Sequence, residues 1–526
     1  MNLCTGRQGI RACVFALVGF TFTSIAVLAE SFPTPDESPE SWYAEGEMEL
    51  QQALANKPNT RRAQNVILFV GDGMGVTTVT AARIYDGQQQ GHSGEENLLS
   101  FEKLPYLALS KTYNTNQQTP DSAGTMTAMM TGVKSKAGFI SVNQLAQGGN
   151  CASALGNELA TFLEQAENIG MSTGVVSTAR ITHATPAATY AHVPNRGWED
   201  DSNMSNEAKT QGCSDIAAQL IDFRSGDGIE VVLGGGRASF LPDPTPNIRD
   251  DAGEGNRLDG RNLTQEWLSK YKDSAYVTNK DQFDAIDTVT TKHLLGLFNP
   301  SHMEYDEDRL RNHANEPSLS QMTAKAIQML QKNRKGFFLM VEAGRIDHGH
   351  HAGSAQRALQ DARELSNAVQ AALNLVDLKN TLVIVTADHS HTFTIAGYPT
   401  RGNPILGKVV GNDSAGNPRS TPSLAEDKLP YTTLGYRNGR GFATDLGGDT
   451  RYTKPSAAGR HDLSDVDTED HDFHQEALIP MSSESHGAED VAIYAGGPWA
   501  HLFTKTHEQS YIYHVMRYAA KLDKKR

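Results

Sequence analysis

Six short, almost uninterrupted apolar runs punctuate this chain: NVILFV (65–70), TGVVST (173–178), IEVVLGG (229–235), GFFLMVE (336–342), TLVIVTA (381–387) and DVAIYAGG (490–497). Runs this short, rich in Val, Ile, Leu and Phe and lacking a polar face, suit strands buried on both sides. Between them lie stretches with apolar residues at helical spacing, such as SLSQMTAKAIQMLQKN (318–333) and SAQRALQDARELSNAVQAALNLV (354–376). Strand alternating with helix predicts an α/β fold with a doubly wound, mostly parallel central sheet flanked by helices. Two segments break the rhythm. Residues 30–60 are polar and Pro-rich, then helical in pattern with Ser38 as a cap, and read as an arm. Residues 392–485 are rich in Gly, Pro, Asn and Ser and carry an acidic, His-bearing stretch (461–476), which reads as an insertion.

The first residues read as a leader. Arg7 and Arg11 precede an apolar run from Ala12 to Ala29 that ends in Val-Leu-Ala, the pattern of a secretory signal cut after Ala29. The alternative, a membrane anchor, is opposed by Gly19, Thr21, Thr23 and Ser24 inside the run. The C-terminal KLDKKR has no hydrophobic tail for a lipid anchor, so no stable membrane attachment is expected. The formal charge of −15 falls to about −17 without Arg7 and Arg11, which argues against a nucleic-acid binder, whose footprint would be basic. Of four cysteines, Cys4 and Cys13 leave with the leader; Cys151 and Cys213 read as one disulfide, or else as two buried thiols.

Three of the runs end in residues that bind metals. NVILFV leads into Gly71-Asp72-Gly73, GFFLMV ends at Glu342 before AGRIDHGHH, and TLVIVTA leads into Asp388-His389-Ser390-His391. Ligands of open parallel sheets bind beyond the carboxyl ends of the strands, so Asp72, Glu342, Asp347, His348, His351, Asp388 and His389 are placed to converge there. Asp347 and His351 share one helix face at i, i+4. Carboxylate with imidazole and no thiolate suits zinc, and carboxylate with hydroxyl suits magnesium. THATPAATYAHVPNRGW (182–198) adds Thr185 as an oxygen ligand and Arg196 as a planar fork for phosphate; SESHGAED (483–490) adds His486. TPDSAGTMTAMMTG (119–132) places Ser122 at a helix start after Asp121, a candidate nucleophile with no base near it in sequence.

Taken together, ILFVGDGMG (67–75), LSKTYN (109–114), TPDSAGT (119–125), THATPAATYAH…NR (182–196), VEAGRIDHGHH (341–351), VTADHSH (385–391) and SHGAEDVAIYAGGP (485–498) resemble the alkaline phosphatases, in that family's order and from about residue 60 onward. The animal-like branch, which marine bacteria share, is the most similar. The resemblance implies hydrolysis of phosphate monoesters through a phosphoserine at Ser122, with two zinc ions and one magnesium. It implies one zinc on Asp347, His351 and His486, and a second on Asp72, Asp388 and His389 with Ser122. Magnesium would lie between Asp72, Thr185 and Glu342, and phosphate on Arg196. Asp121, His183 and His348 would lie just behind these ligands. It implies a Cys151–Cys213 disulfide, a core over 61–391, a crown-like insertion over 392–485, and a last strand and helix over 486–526. The 30–60 arm would embrace the partner of a homodimer. It further implies an exported enzyme, periplasmic or secreted and bacterial. Animal members hold a fourth, calcium-like ion with an acidic residue after a Leu-Phe pair; here Asn299 follows Leu297-Phe298, which argues against that site. The competing functions are a related metal-dependent phosphodiesterase, phosphomutase or sulfatase, and a non-catalytic metal- or phosphate-binding protein. The sulfatase signature C/S-x-P-x-R is absent around Ser122.

Overall fold

The computed structural model describes residues 31–35, 37–243, 255–441 and 460–522. The expected leader, residues 442–459 of the insertion and the last four residues lie outside them. Ten strands form one sheet: β1 (Asn65–Gly71), β2 (Tyr106–Lys111), β3 (Ser172–Arg180), β4 (Val231–Gly235), β5 (Ser274–Val277), β6 (His293–Leu297), β7 (Phe337–Ala343), β8 (Thr381–Ala387), β14 (Val491–Gly496) and β15 (Thr506–Glu508). Their order is β15-β2-β14-β8-β1-β7-β3-β4-β6-β5. From β8 to β5 every pair is parallel, whereas β14 runs antiparallel to both β8 and β2. The apolar run at 490–497 therefore forms an antiparallel strand, which its composition does not distinguish from a parallel one.

Alternation along β1 shows why its run is apolar throughout. Val66, Leu68 and Val70 belong to one core and Ile67 and Phe69 to the other, all fully buried. On the first face lie the helix Ser122–Thr131 and Phe162; on the second lie the helices Leu319–Leu330 and Ala355–Leu375. The long helix Ala355–Leu375 turns Ala358, Leu359, Ala362, Leu365 and Val369 inward, the 3.6-residue stripe seen in its sequence. Strand β2 escapes that pattern: its burial alternates, with Leu107 and Leu109 outward, because it lies near the sheet edge.

Register sets the site. Val70 of β1 pairs with Glu342 of β7 and Thr386 of β8, and Ser177 of β3 also pairs with Glu342. The carboxyl ends of four neighbouring strands are thus level, and the residues that follow them share one edge. Within 392–485, β10 (Phe393–Ile395), β11 (Leu434–Gly439) and β12 (Ala477–Pro480) make a separate three-stranded sheet. The pair β9 (Ser390–His391) and β13 (His486–Gly487) ties the segment back to that edge. Near the N-terminus, Ser38 and Ser41 form a capping box on the helix Pro39–Ala55, which buries no residue and leaves Trp42, Tyr43, Met48, Leu50 and Leu54 exposed. Cys151 and Cys213 are joined by a disulfide.

Candidate active site

Ser122 is the first residue of its helix because Asp121 caps it, accepting from the Gly124 N–H at 3.2 Å. The serine is buried, and its Oγ lies 3.2 Å from His389 Nε2 and 3.5 Å from Asp72 Oδ1. Gly73 follows Asp72 with φ +70°, and a Cβ there would fall 2.3 Å from His391 Nε2. Only glycine permits both the turn and the close approach.

Two histidines face each other across a small gap. His351 Nε2 and His486 Nε2 are 3.1 Å apart, and lie 3.3 and 3.4 Å from Asp347 Oδ1. The other ring nitrogen of each donates to a backbone carbonyl: His351 Nδ1 to Glu484 O at 2.6 Å, His486 Nδ1 to Pro120 O at 2.8 Å. With both Nδ1 atoms holding the proton, two Nε2 lone pairs and a carboxylate oxygen converge with no hydrogen between them. Such an arrangement repels itself unless a cation sits there, and its donor set fits zinc. Burial alone would raise the Asp347 carboxyl, but the histidine cluster, with His391 Nε2 donating to Oδ1, holds it well below the usual range.

The neighbouring group has the same character. His389 Nε2 lies 3.3 Å from Asp72 Oδ1 and 3.4 Å from Asp388 Oδ2, and its Nδ1 is 3.2 Å from Ser390 O. Asp72 Oδ2 and Asp388 Oδ2 are buried without a hydrogen-bond partner. Burial, then the mutual repulsion of these carboxylates, pushes Asp72 well up; burial pushes Asp388 up. Beside them Glu342 Oε1 and Thr185 Oγ1 are also buried without partners, while Ser177 donates to the other Glu342 oxygen. Glu342 is lifted to about 7, chiefly by burial. Two carboxylates and a hydroxyl suit a hard cation such as magnesium, and a nitrogen of His183 lies within reach of Asp72 and Glu342.

Arg196 bridges the mouth of the site, donating from Nη1 to Asp121 Oδ2 at 3.1 Å and from Nη2 to His183 Nε2 at 2.9 Å. His183 is kept neutral, first by burial and then by the Arg196 charge. His348 accepts from Arg345 Nη1 at 3.1 Å, and burial lowers it to about 3. All the residues singled out for the site in the sequence thus lie at or beside this one edge.

Two participants escaped sequence reading. His391 Nε2 is 2.9 Å from Asp347 Oδ1 and its Nδ1 is 2.6 Å from Glu484 Oε2. Burial opposes its charge, but Glu484 and Asp347 raise it to about 10, so His391 is an imidazolium that braces Asp347. Its position two residues after His389, at the same strand end, was the available signal. Glu484 had none, since its partner lies 93 residues away. In HGHH, His350 is structural, held between Thr78 Oγ1 at 3.0 Å and the Tyr436 hydroxyl at 2.8 Å. At Asn299, the side-chain amide donates to Glu316 Oε1 at 2.8 Å while the Glu304 N–H donates to Glu316 Oε2 at 2.9 Å. Both oxygens of that acid therefore have protein donors.

Comparison with known proteins agrees with this geometry. The family model described as alkaline phosphatase matches residues 63–522. The human tissue-nonspecific isozyme of alkaline phosphatase is 44% identical over 497 residues, covering 93% of this chain and 90% of that protein. The alkaline phosphatase of Gadus morhua is 42% identical over 495 residues, covering 93% and 98%. Among solved structures, the Thermus thermophilus alkaline phosphatase superposes with a TM-score of 0.62 at 25% identity, over 90% of this chain and 95% of that one. A cold-active enzyme from Shewanella sp. shares the fold with a TM-score of 0.58 at 24% identity, over 88% and 100%. By that match over nearly its whole length, the chain belongs to the alkaline phosphatase family.

Proposed function

We propose that this phosphoric monoester hydrolase works through Ser122 as nucleophile, with phosphate held on Arg196 and three cations held by the strand-end ligands. The observation that carries the reading is the pair of opposed His351 and His486 lone pairs beside a buried serine whose neighbours are orphaned carboxylate oxygens. Asp347, His351 and His486 would hold one zinc; Asp72, Asp388 and His389 the second; Asp72, Thr185 and Glu342 a magnesium. These ions, when bound, supply Lewis acidity that lowers the pKa of a coordinated hydroxyl and offsets charge on the entering and leaving oxygens.

The chain does the rest. Ser122 Oγ forms the bond to phosphorus as the ester oxygen departs, giving phosphoserine and an alcohol; water then cleaves phosphoserine to release phosphate. Both contacts of Ser122 Oγ are assigned ligands, so no free side-chain base adjoins it. The helix N-terminus at Ser122 favours the anion by its dipole. Arg196, about 29% exposed and braced by Asp121 and His183, presents its fork to the equatorial oxygens. A homodimer built with the arm is supported by the exposed Trp42, Tyr43, Met48, Leu50 and Leu54 on a helix that buries nothing. Export, to a periplasm or beyond a bacterial cell, rests on the leader pattern; among the described residues no helix is long and apolar enough to cross a membrane.

The test is acid quenching of a reaction with labelled substrate: one phosphoserine per chain is expected, absent in Ser122→Ala with metal content retained. Comparing turnover of p-nitrophenyl phosphate, its bis-ester and its sulfate separates a monoesterase from a diesterase or sulfatase, and a metal-binding protein would turn over none.

A further inference from the structure

Beyond the metal ligands, a cavity of about 470 Å³ opens against the helix Arg345–His351. Its lining includes Tyr305, Arg345, His348, His351, Arg357 and Arg440. His351 belongs to both the cavity wall and the metal cluster, so the cavity adjoins the place where an ester bond would be broken.

The arginines around this site differ in how they are neutralised. Arg357 is held by Asp308 at 2.9 Å and by Asp472 at 3.0 Å, Arg180 by Glu199 at 2.6 Å, and Arg196 by Asp121 at 3.1 Å. Arg345, among the described residues, touches no carboxylate. Its guanidinium carbon lies over the Tyr305 ring, 3.6 Å from the centroid, and Nη1 donates to the His348 imidazole at 3.1 Å. Its Nε is buried and has no partner. A cation over an aromatic face is held in one orientation, and with Nη1 on His348 and Nε buried it is Nη2 that remains for a ligand. The Arg345 charge acts on Asp361 and Glu316 through space and not through an ion pair, so its remaining N–H groups can take an anion from the cavity.

We propose that this cavity is a subsite for the leaving group, and that Arg345 binds a second anionic group carried there, a carboxylate or phosphoryl on the alcohol portion of the ester. The preferred substrates are then phosphate monoesters of anionic alcohols. Glu304, also on the wall, opposes an anion on its side and confines it to the Arg345 flank. This rests on the phosphatase reading of the adjoining site.

The test uses metal-saturated full-length enzyme and two esters of equal length, 4-carboxybutyl phosphate and pentyl phosphate, which differ only in distal charge. The wild type is expected to favour the carboxylate by about tenfold in kcat/KM, less at high salt. In Arg345→Gln the ratio should fall to about one, whatever the change in the common rate; Glu304→Gln should raise it. Calorimetric binding of the matching non-hydrolysable phosphonates should show the same ratio independently of turnover. Equal kcat/KM for both esters in the wild type, or a preference that survives Arg345→Gln, overturns the subsite. No turnover of either ester by metal-loaded enzyme would instead overturn the phosphatase reading.

Discussion

Asp121 caps the Ser122 helix through Oδ1 and holds Arg196 through Oδ2, so a single carboxylate sets the relative position of nucleophile and phosphate clamp. Its Oδ2 also accepts from the Gly138 N–H at 3.0 Å, which anchors it from a third direction. Nucleophile and clamp are 74 residues apart in sequence, yet neither can shift without disturbing Asp121.

Removing that link should loosen phosphate more than it unfolds the protein. Asp121→Ala is expected to cost about 1 kcal/mol of stability through the lost cap. Inorganic phosphate should bind several-fold more weakly as a competitive inhibitor, because Arg196 loses its brace. An unchanged inhibition constant would show that His183 alone positions Arg196.

Chelation should destabilise the fold as well as silence it. Asp72, Glu342, Asp347 and Asp388 are all at most 4% exposed, and a few protein donors and the His391 imidazolium offset only part of the repulsion that bound cations would remove. At free metal about 1,000-fold above Kd, each site adds about 4 kcal/mol. Calorimetric scans before and after EDTA should show a large fall in Tm, recovered in steps on adding zinc and then magnesium. A Tm indifferent to EDTA would mean these groups hold no structural cation.

A second acid pair, at the opposite ends of the strands, should make stability fall with rising pH. Burial and the nearby Glu230 lift Glu167 to about 9, and burial lifts Glu230 to about 7, against an ordinary 4.5. The two carboxyls bracket Thr173, which donates from Oγ1 to Glu167 and from its N–H to Glu230, each at 2.6 Å. Because the folded state keeps these protons longer than the unfolded chain, their stabilisation is complete below about pH 4.5 and is lost as pH rises through 7 and then 9. Glu167→Gln keeps the Thr173 acceptor and removes the titration. The decline in Tm of metal-loaded protein between pH 6 and 10 should be at least halved; an unaltered slope refutes the assignment.

The disulfide should matter to stability and little to chemistry. Cys151 and Cys213 are separated by 62 residues, a long loop to close in the unfolded chain. Replacing both by serine is expected to cost about 2–4 kcal/mol in urea unfolding. Phosphoserine formation should persist, since neither cysteine contacts the site.

Much of this protein is determined by sequence that acts locally. Apolar runs make buried strands wherever the chain places them, and a residue directly after such a run must emerge at the sheet edge; that is how Asp72, Glu342 and Asp388 could be read as neighbours. Ser122 at a helix start and the i, i+4 pair Asp347 and His351 follow from the same local geometry. The antiparallel direction of β14 was not legible, because apolar composition carries no direction. Nor was the state of the histidines. His486 offers its Nε2 lone pair because Pro120, 366 residues away, accepts its other proton, and His391 is charged because Glu484 comes to lie beside it. Hydrophobic burial is summed residue by residue and leaves a periodic trace. Tautomer, charge and ligand direction depend on which distant carbonyl or carboxylate ends up within 3 Å, which only the folded chain decides.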